Sequence, residues 1–236
     1  MSYLYPTNLN SGYTNYYPYK QSHNKSLKTY KMKLYGKGSI KVTPDISIVT
    51  LGVETENKEL TTAQNENSIK MKKVIRALKD NGVEKEDIKT TSFSIRPEYD
   101  FVEGRKIFRG YRVNNTLSIT IRDIKETGRI IEASLEAGVN NVSDIKFAIS
   151  KPDQYYKIAL NRAIKDSIEK AESIEATLNI ILSKTPIGID EERIDYEPIQ
   201  RTYVASTSSE APIMEGTMEI SAAVEAVFAY KMHSTN

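Results

Sequence analysis

From residue 40 onward, apolar positions recur with either a two-residue or a three-to-four-residue period, and the switches between them mark the elements. Ile40 and Val42, then Ile46, Ile48, Leu51 and Val53, predict a strand over 40–54. Pro44-Asp45 interrupts it, which predicts an edge or a bulge because proline cannot donate to a ladder. Leu60, Ala63, Met71, Val74, Ile75 and Leu78 fall on one helical stripe and predict a helix over 58–81, with Asn67 as a polar intruder and Asn81-Gly82 as its stop. Phe93, Ile95, Pro97, Tyr99 and Phe101 alternate, as do Ile107, Tyr111, Val113, Leu117, Ile119 and Ile121. These predict strands over 91–101 and 107–121 joined by a hairpin loop at 102–106.

A short helix follows over 124–137, with Asp123 as N-cap candidate and Gly138 as stop. Ile145, Phe147 and Ile149 predict a strand over 142–150. The longest helical pattern covers 153–182, on a stripe of Tyr156, Leu160, Ile164, Ile168, Ala171, Ile174, Leu178 and Ile181. A strand is expected over 186–199, a mobile Ser/Thr-rich loop near 202–216, and a final strand over 217–231, where Met218 to Tyr230 alternate. The order is β-α-β-β-α-β-α-β-β, and its first six elements match a split βαβ pattern. The expected fold class is α+β, a largely antiparallel sheet with helices packed on one face.

The first 30 residues of the 236 have neither period. Seven of the fifteen tyrosines lie there, among Asn, Ser, Thr and Pro. They read as a disordered Tyr/Lys/Asn-rich arm attached to one domain over 31–236. Residues 1–38 hold six lysines and no acid, so the acidic excess lies in the body; the net charge is only +2. That is too small to imply a nucleic-acid or membrane partner by itself. No leader-like apolar stretch follows a basic start, and no run approaches the length of a membrane span, so a cytoplasmic location is expected.

Cysteine is absent and histidine occurs only at positions 23 and 233. Disulfides, thiol catalysis and cysteine-ligated metals are thereby excluded, and a histidine triad has almost no material. Gly36-Lys37-Gly38 lacks the third glycine of a dinucleotide fingerprint and precedes a strand, so it reads as backbone freedom at a strand entrance. Asp190-Glu191-Glu192, with Asp195 and Glu197, reads as a charged edge that discourages sheet-to-sheet association. No catalytic, cofactor-binding or metal-binding residue is assigned. The candidate interaction residues are Tyr16, Tyr17, Tyr19 and Lys20 of the arm, with Arg105, Lys106 and Arg109 near the hairpin loop. The arm carries lysine for charge and tyrosine for stacking, the ingredients for gripping a single-stranded nucleic acid or an anionic surface.

Several blocks together resemble the SIMPL-domain family, also called DUF541, which includes periplasmic immunogenic proteins and an oxidative-stress defence protein. They are Gly36-x-Gly38-x-Ile40-x-Val42-x-Pro44-Asp45, Gly82-Val83 with Asp87-Ile88-x-Thr90, and Ser94-Ile95-x-Pro97-x-Tyr99. Gly110-Tyr111-Arg112-Val113-x-Asn115-x-Leu117 follows, then Ala137-Gly138-Val139-Asn140 through Ile145-x-Phe147. The resemblance spans roughly residues 35–230 and implies an α+β subunit that assembles into ring- or channel-like homo-oligomers, with no catalytic residues to carry over. The expectation is therefore a non-enzymatic homo-oligomeric scaffold or interaction module linked to envelope or stress physiology. The alternative is a nucleic-acid or anionic-surface binder acting through the arm.

Overall fold

The computed structural model describes residues 28–192 and 216–233. Eight strands and three helices follow one another there: β1 (Thr29–Val42), β2 (Ile46–Asn57), α1 (Leu60–Asp80), β3 (Ile88–Val102), β4 (Arg105–Ile121), α2 (Thr127–Ala137), β5 (Asn141–Ala148), α3 (Pro152–Leu178), β6 (Ile180–Leu182), β7 (Gly188–Glu192) and β8 (Met218–Met232). The class is α+β and every strand pair is antiparallel.

The strands divide into two sheets. One has the order β3-β4-β2-β5, which is the split βαβ arrangement expected from the element order. α1 packs on its β2 and β4, with α2 against α1. Val49, Leu51, Val53, Met71, Val74, Leu78, Leu117 and Ile119 form the core between them. The other sheet has the order β1-β8-β6, with β7 also on β8, and is backed by α3. The pattern over 40–54 is thus two strands of different sheets, divided at Pro44, rather than one interrupted strand. Asp45 pins the corner, accepting from the Ser150 amide at 2.7 Å and from its hydroxyl. Burial pushes the Asp45 carboxyl up, but the two Ser150 bonds, its own amide and the Lys151 charge together hold it below its ordinary range.

β1 starts at Thr29, ahead of the expected first strand. Met32 and Leu34 pack inward under α3, while Lys31, Lys33 and Lys37 point out from what is an edge strand. Lysines that read as the charge of an arm are in part the outer row of an edge strand, a common guard against sheet association. Tyr30 stacks on Tyr230 at a centroid distance of 5.5 Å.

The two glycines of Gly36-Lys37-Gly38 serve close approach, not conformational freedom. A Cβ on Gly36 would lie 2.0 Å from the Ala163 carbonyl oxygen, and one on Gly38 would lie 2.2 Å from that of Ala159. α3 meets this notch with Ala159, Ala163, Ser167 and Ala171, all fully buried. The larger residues of the expected stripe, Tyr156, Leu160, Ile164 and Ile168, flank the contact and are only partly buried.

α3 ends at Leu178 rather than 182, because Asn179 adopts the left-handed conformation at φ 50°. Ile180–Leu182 then pair with Tyr230–Met232. The expected strand over 186–199 is seen as β7. The rest of that stretch, the loop over 202–215 and the arm up to residue 27 lie outside the described residues.

Candidate interaction surface

β3 and β4 pair from Ile88↔Ile119 to Val102↔Arg105. β2 accompanies β4 only as far as Asn57↔Tyr111. Beyond that point the two strands continue alone, over 98–102 and 105–110, for roughly 16 Å. Glu103 and Gly104 close the hairpin with φ of 50° and 78°. Two consecutive left-handed residues are what a tight primed turn requires. A free two-stranded ribbon is marginal in water, and both faces of this one carry supports.

One face is ionic. Arg109 reaches Glu56 at 2.6 Å, Asp100 at 3.4 Å and Glu98 at 4.0 Å. Arg112 reaches Glu54 at 3.4 Å, Glu56 at 3.4 Å and Glu98 at 3.3 Å. The hydrogen bond from Arg109 holds the Glu56 carboxyl below its ordinary range, and Glu56 in turn raises Arg109. The net links the end of β2 to the projecting part of the hairpin. Gly110 fits at the root, where a Cβ would meet the Asn57 carbonyl oxygen at 2.9 Å.

The other face is aromatic. Cross-strand pairing places Phe93, Ile95, Pro97, Tyr99 and Phe101 of β3 on the same side as Phe108 and Tyr111 of β4. Phe108 meets Tyr99 and Tyr111 edge-on at 5.8 and 5.1 Å. The Lys106 ammonium sits 3.8 Å from the centre of the Tyr99 ring. Phe101 is 75% exposed, Phe93 52% and Phe108 43%. So large a continuous apolar strip on a projecting element is the mark of a contact surface.

The basic cluster near the loop is therefore dispersed. Arg109 is enclosed by carboxylates, Lys106 lies on a ring of the aromatic face, and Arg105 stands exposed at the tip. Tyr16, Tyr17, Tyr19 and Lys20 lie outside the described residues. Sequence reasoning missed the aromatic strip as a site, although the alternation from Phe93 to Phe101 was its signal. It also missed the carboxylates Glu54, Glu56 and Glu98, which no local motif ties to Arg109 and Arg112.

Other family blocks have structural roles. Arg122 grips Asp87 with two hydrogen bonds of 2.7 and 3.0 Å. The Asn140 side chain both accepts from the Glu54 amide and donates to its carbonyl, each at 2.8 Å, standing in for a strand residue beside β2. The acidic run at 190–192 forms β7. Among the described residues no group of three or more His, Asp or Glu side chains is placed to hold a metal, and no helix is long and apolar enough to cross a membrane.

These features define an antiparallel α+β domain of two helix-backed sheets that presents a braced, aromatic-faced hairpin. Residues 32–228 match the family described as SIMPL, protein of unknown function (DUF541), and the chain belongs to that family. It is similar to uncharacterized protein YggE of Escherichia coli K12, 27% identical over 139 residues, covering 59% of this chain and 56% of that protein. The match thus spans little over half of the E. coli relative's length. It is also 26% identical over 200 residues to YggE of Edwardsiella ictaluri, covering 82% and 84% of the two chains. A third relative is the 26 kDa periplasmic immunogenic protein of Brucella melitensis, 24% identical over 227 residues, 90% of each chain. The expected cytoplasmic location is corrected by this relationship: the relative aligned over most of both chains is named for the periplasm.

Proposed function

We propose that the protein is a non-catalytic, homo-oligomeric scaffold or interaction module of the cell envelope, and that the β3–β4 hairpin is the element by which one copy grips the next. The observation that carries this is the exposed aromatic face of a hairpin whose opposite face is already engaged in ion pairs with the end of β2. An apolar strip needs an apolar occupant, and a second copy supplies one of identical chemistry at equal concentration. β3 is the outer strand of its sheet, which adds a free edge to the same surface. The Brucella relative's name supports a place outside the cytoplasm. A role in stress physiology belongs to the same reading.

The test is mass by light scattering after size exclusion, on the full chain, on a chain lacking residues 1–27, which leaves β1 whole, and on the double variant Phe101→Asp/Phe108→Asp. A discrete multimer is expected for the first two and a smaller species for the double variant. Monomers throughout sink the scaffold. A multimer that survives the double variant unchanged removes the hairpin from it, and one that disappears with residues 1–27 makes the arm its adhesive.

A further inference from the structure

β1 is the outer strand of its sheet, and its pairing with β8 runs from Thr29↔Lys231 to Val42↔Met218 without a bulge. Alternate residues therefore turn their N–H and C=O groups away from β8, to the open side. Three of these residues are answered by α3. Arg162 donates to the Ser39 carbonyl, Asp166 accepts from the Lys37 amide at 2.8 Å, and Lys170 donates to the Tyr35 carbonyl at 2.8 Å. The three side chains stand one helical turn apart, so each turn of α3 serves the next outward residue of β1. Lys170 and Asp166 also pair with each other at 2.6 Å, which steadies the row. The row substitutes for a neighbouring strand over the middle of this edge.

One and two turns further on, the row continues with Ile174 and Leu178. Neither has a polar side chain, so the outward backbone groups of Lys33, Lys31 and Thr29 receive nothing from it. Among the described residues no other hydrogen bond reaches those groups. An opening is left over 29–33, and its two faces differ. On the outer face Lys31 and Lys231 are exposed, and Lys33 beside them pairs with Glu225 at 2.7 Å. On the helix face stand Tyr30, stacked on Tyr230, then Met32 and Leu34, with Leu178 63% exposed. We infer that this opening takes an antiparallel strand of alternating acidic and apolar residues from a partner protein. A residue set opposite Lys31 exchanges two main-chain hydrogen bonds with it and places its side chain on the outer face, beside the lysines. Its neighbours along the strand place theirs on the helix face, against Tyr30, Met32 and Leu178. Main-chain bonds supply affinity and the alternating side chains supply specificity. The β1 edge of a second copy would set lysine against lysine, which disfavours it as the occupant.

The test is an NMR titration of the full chain, following the backbone amides of Lys31, Lys33 and Lys37. Before any peptide is added, Lys37 should exchange with solvent slowly and Lys31 and Lys33 fast. Slow exchange at Lys31 and Lys33 would mean that residues 1–27 or a second copy already pair with the edge, and overturns the inference. The probe is acetyl-Glu-Val-Glu-Val-Glu-amide. Saturable shifts at Lys31 and Lys33 are expected, with Lys37 unmoved, and binding should weaken several-fold between about 20 and about 300 mM salt. The same peptide N-methylated at its central Glu, and acetyl-Lys-Val-Lys-Val-Lys-amide, should bind about tenfold more weakly or not at all. Lys31→Pro removes one outward N–H and leaves the ladder with β8 whole, because that ladder uses the even-numbered residues of β1; it should abolish binding. Lys31→Gln, which keeps the N–H and loses the charge, should bind a few-fold more weakly with a shallower salt dependence. No saturable shift with the acidic peptide overturns the inference, as does equal binding of the lysine or the N-methylated peptide. The hairpin lies in the other sheet, so the scaffold reading and this one fail separately.

Discussion

Gly38→Ala adds a single methyl group to β1, and the notch under α3 makes its cost calculable. The new Cβ would lie 2.2 Å from the Ala159 carbonyl oxygen, 2.4 Å from the Ala163 amide nitrogen and 2.7 Å from the Arg162 Cβ. Ordinary van der Waals contact begins near 3.4 Å, so α3 must retreat by about 1.2 Å. The first two obstructing atoms belong to the helix backbone and cannot rotate aside. Overpacking that side chains can absorb costs roughly 1–3 kcal/mol. Here the retreat also stretches the bond from the Lys37 amide to Asp166 and that from Lys170 to the Tyr35 carbonyl, each 2.8 Å long. It opens space above Ala222 and Val224 as well. A loss of about 3–5 kcal/mol is expected, which in a chain of this length lowers Tm by roughly 10 °C. Ala159→Gly in the same chain should not restore it, because the obstruction is the carbonyl. The control is Gly128→Ala on α2, where a Cβ meets nothing within 4 Å. The same chemical change there should be neutral or stabilise by up to about 1 kcal/mol. Urea denaturation of the three variants beside the natural chain reads all of this. A loss under about 1 kcal/mol for Gly38→Ala would show that α3 does not depend on this close seat.

Removing Asn140 by substitution to Ala should cost about 1–2 kcal/mol by urea midpoint, since it deletes both side-chain bonds to Glu54; Asn140→Asp, which sets a carboxylate oxygen against the Glu54 carbonyl, should cost at least as much at neutral pH. Glu103→Gly should stabilise the hairpin by up to about 1 kcal/mol, because Glu103 sits at φ 50° in a position glycine adopts freely; thermal melts check the sign. Glu225 accepts from Lys33 and from Tyr35, both at 2.7 Å, and these bonds hold its carboxyl below the ordinary range. The folded value is depressed, so this stabilisation is complete above the unfolded carboxylate range and is lost as pH falls through the folded value. Asp166 behaves alike, through the Lys170 side chain and then the Lys37 amide. Tm should therefore be flat from pH 7 down to about 5 and fall below about 4, and Glu225→Gln should flatten that acid limb. An unchanged limb in Glu225→Gln would assign the acid sensitivity to other carboxylates.

The helices and the hairpin were legible because each has one buried face and a local stop. Asn81-Gly82 ends α1, with Gly82 at φ 87°, and Gly138 ends α2 at φ 119°. What could not be read depends on partners distant in sequence. Residues 29–38 are a strand only because Lys231 to Ala222 lie beside them, and their lysines carry no local sign of that pairing. The division at Pro44 looks like a bulge until the two halves are seen in separate sheets. In α3 the large apolar residues drew the stripe toward Leu160 and Ile164, whereas the seat is made by Ala159 and Ala163, whose value lies in what they lack. The same reasoning reverses the reading of Gly36-Lys37-Gly38: an extended glycine facing a helix is defined by the absent Cβ, not by backbone freedom.

Asn67 joins the two kinds of information. On the helical stripe it reads as a flaw, a polar residue where Leu or Val would bury apolar area. In the fold it ties α1 to β2 and β4 through two backbone carbonyls and leaves its side-chain oxygen buried without a donor, beside the cleft between α1 and β3. An aliphatic residue at this position would strengthen the apolar stripe and give up both ties. The Gly110–Leu117 block concentrates the same logic: Gly110 permits the hairpin root, Tyr111 belongs to the aromatic face and Arg112 to the ion net. Asn115 lines the cleft and Leu117 fills the core. One strand thus sets the hairpin against the body and the cleft beside it. A change at its root should disturb both surfaces together, whereas a change at the tip, such as Phe101→Asp, should disturb only the first.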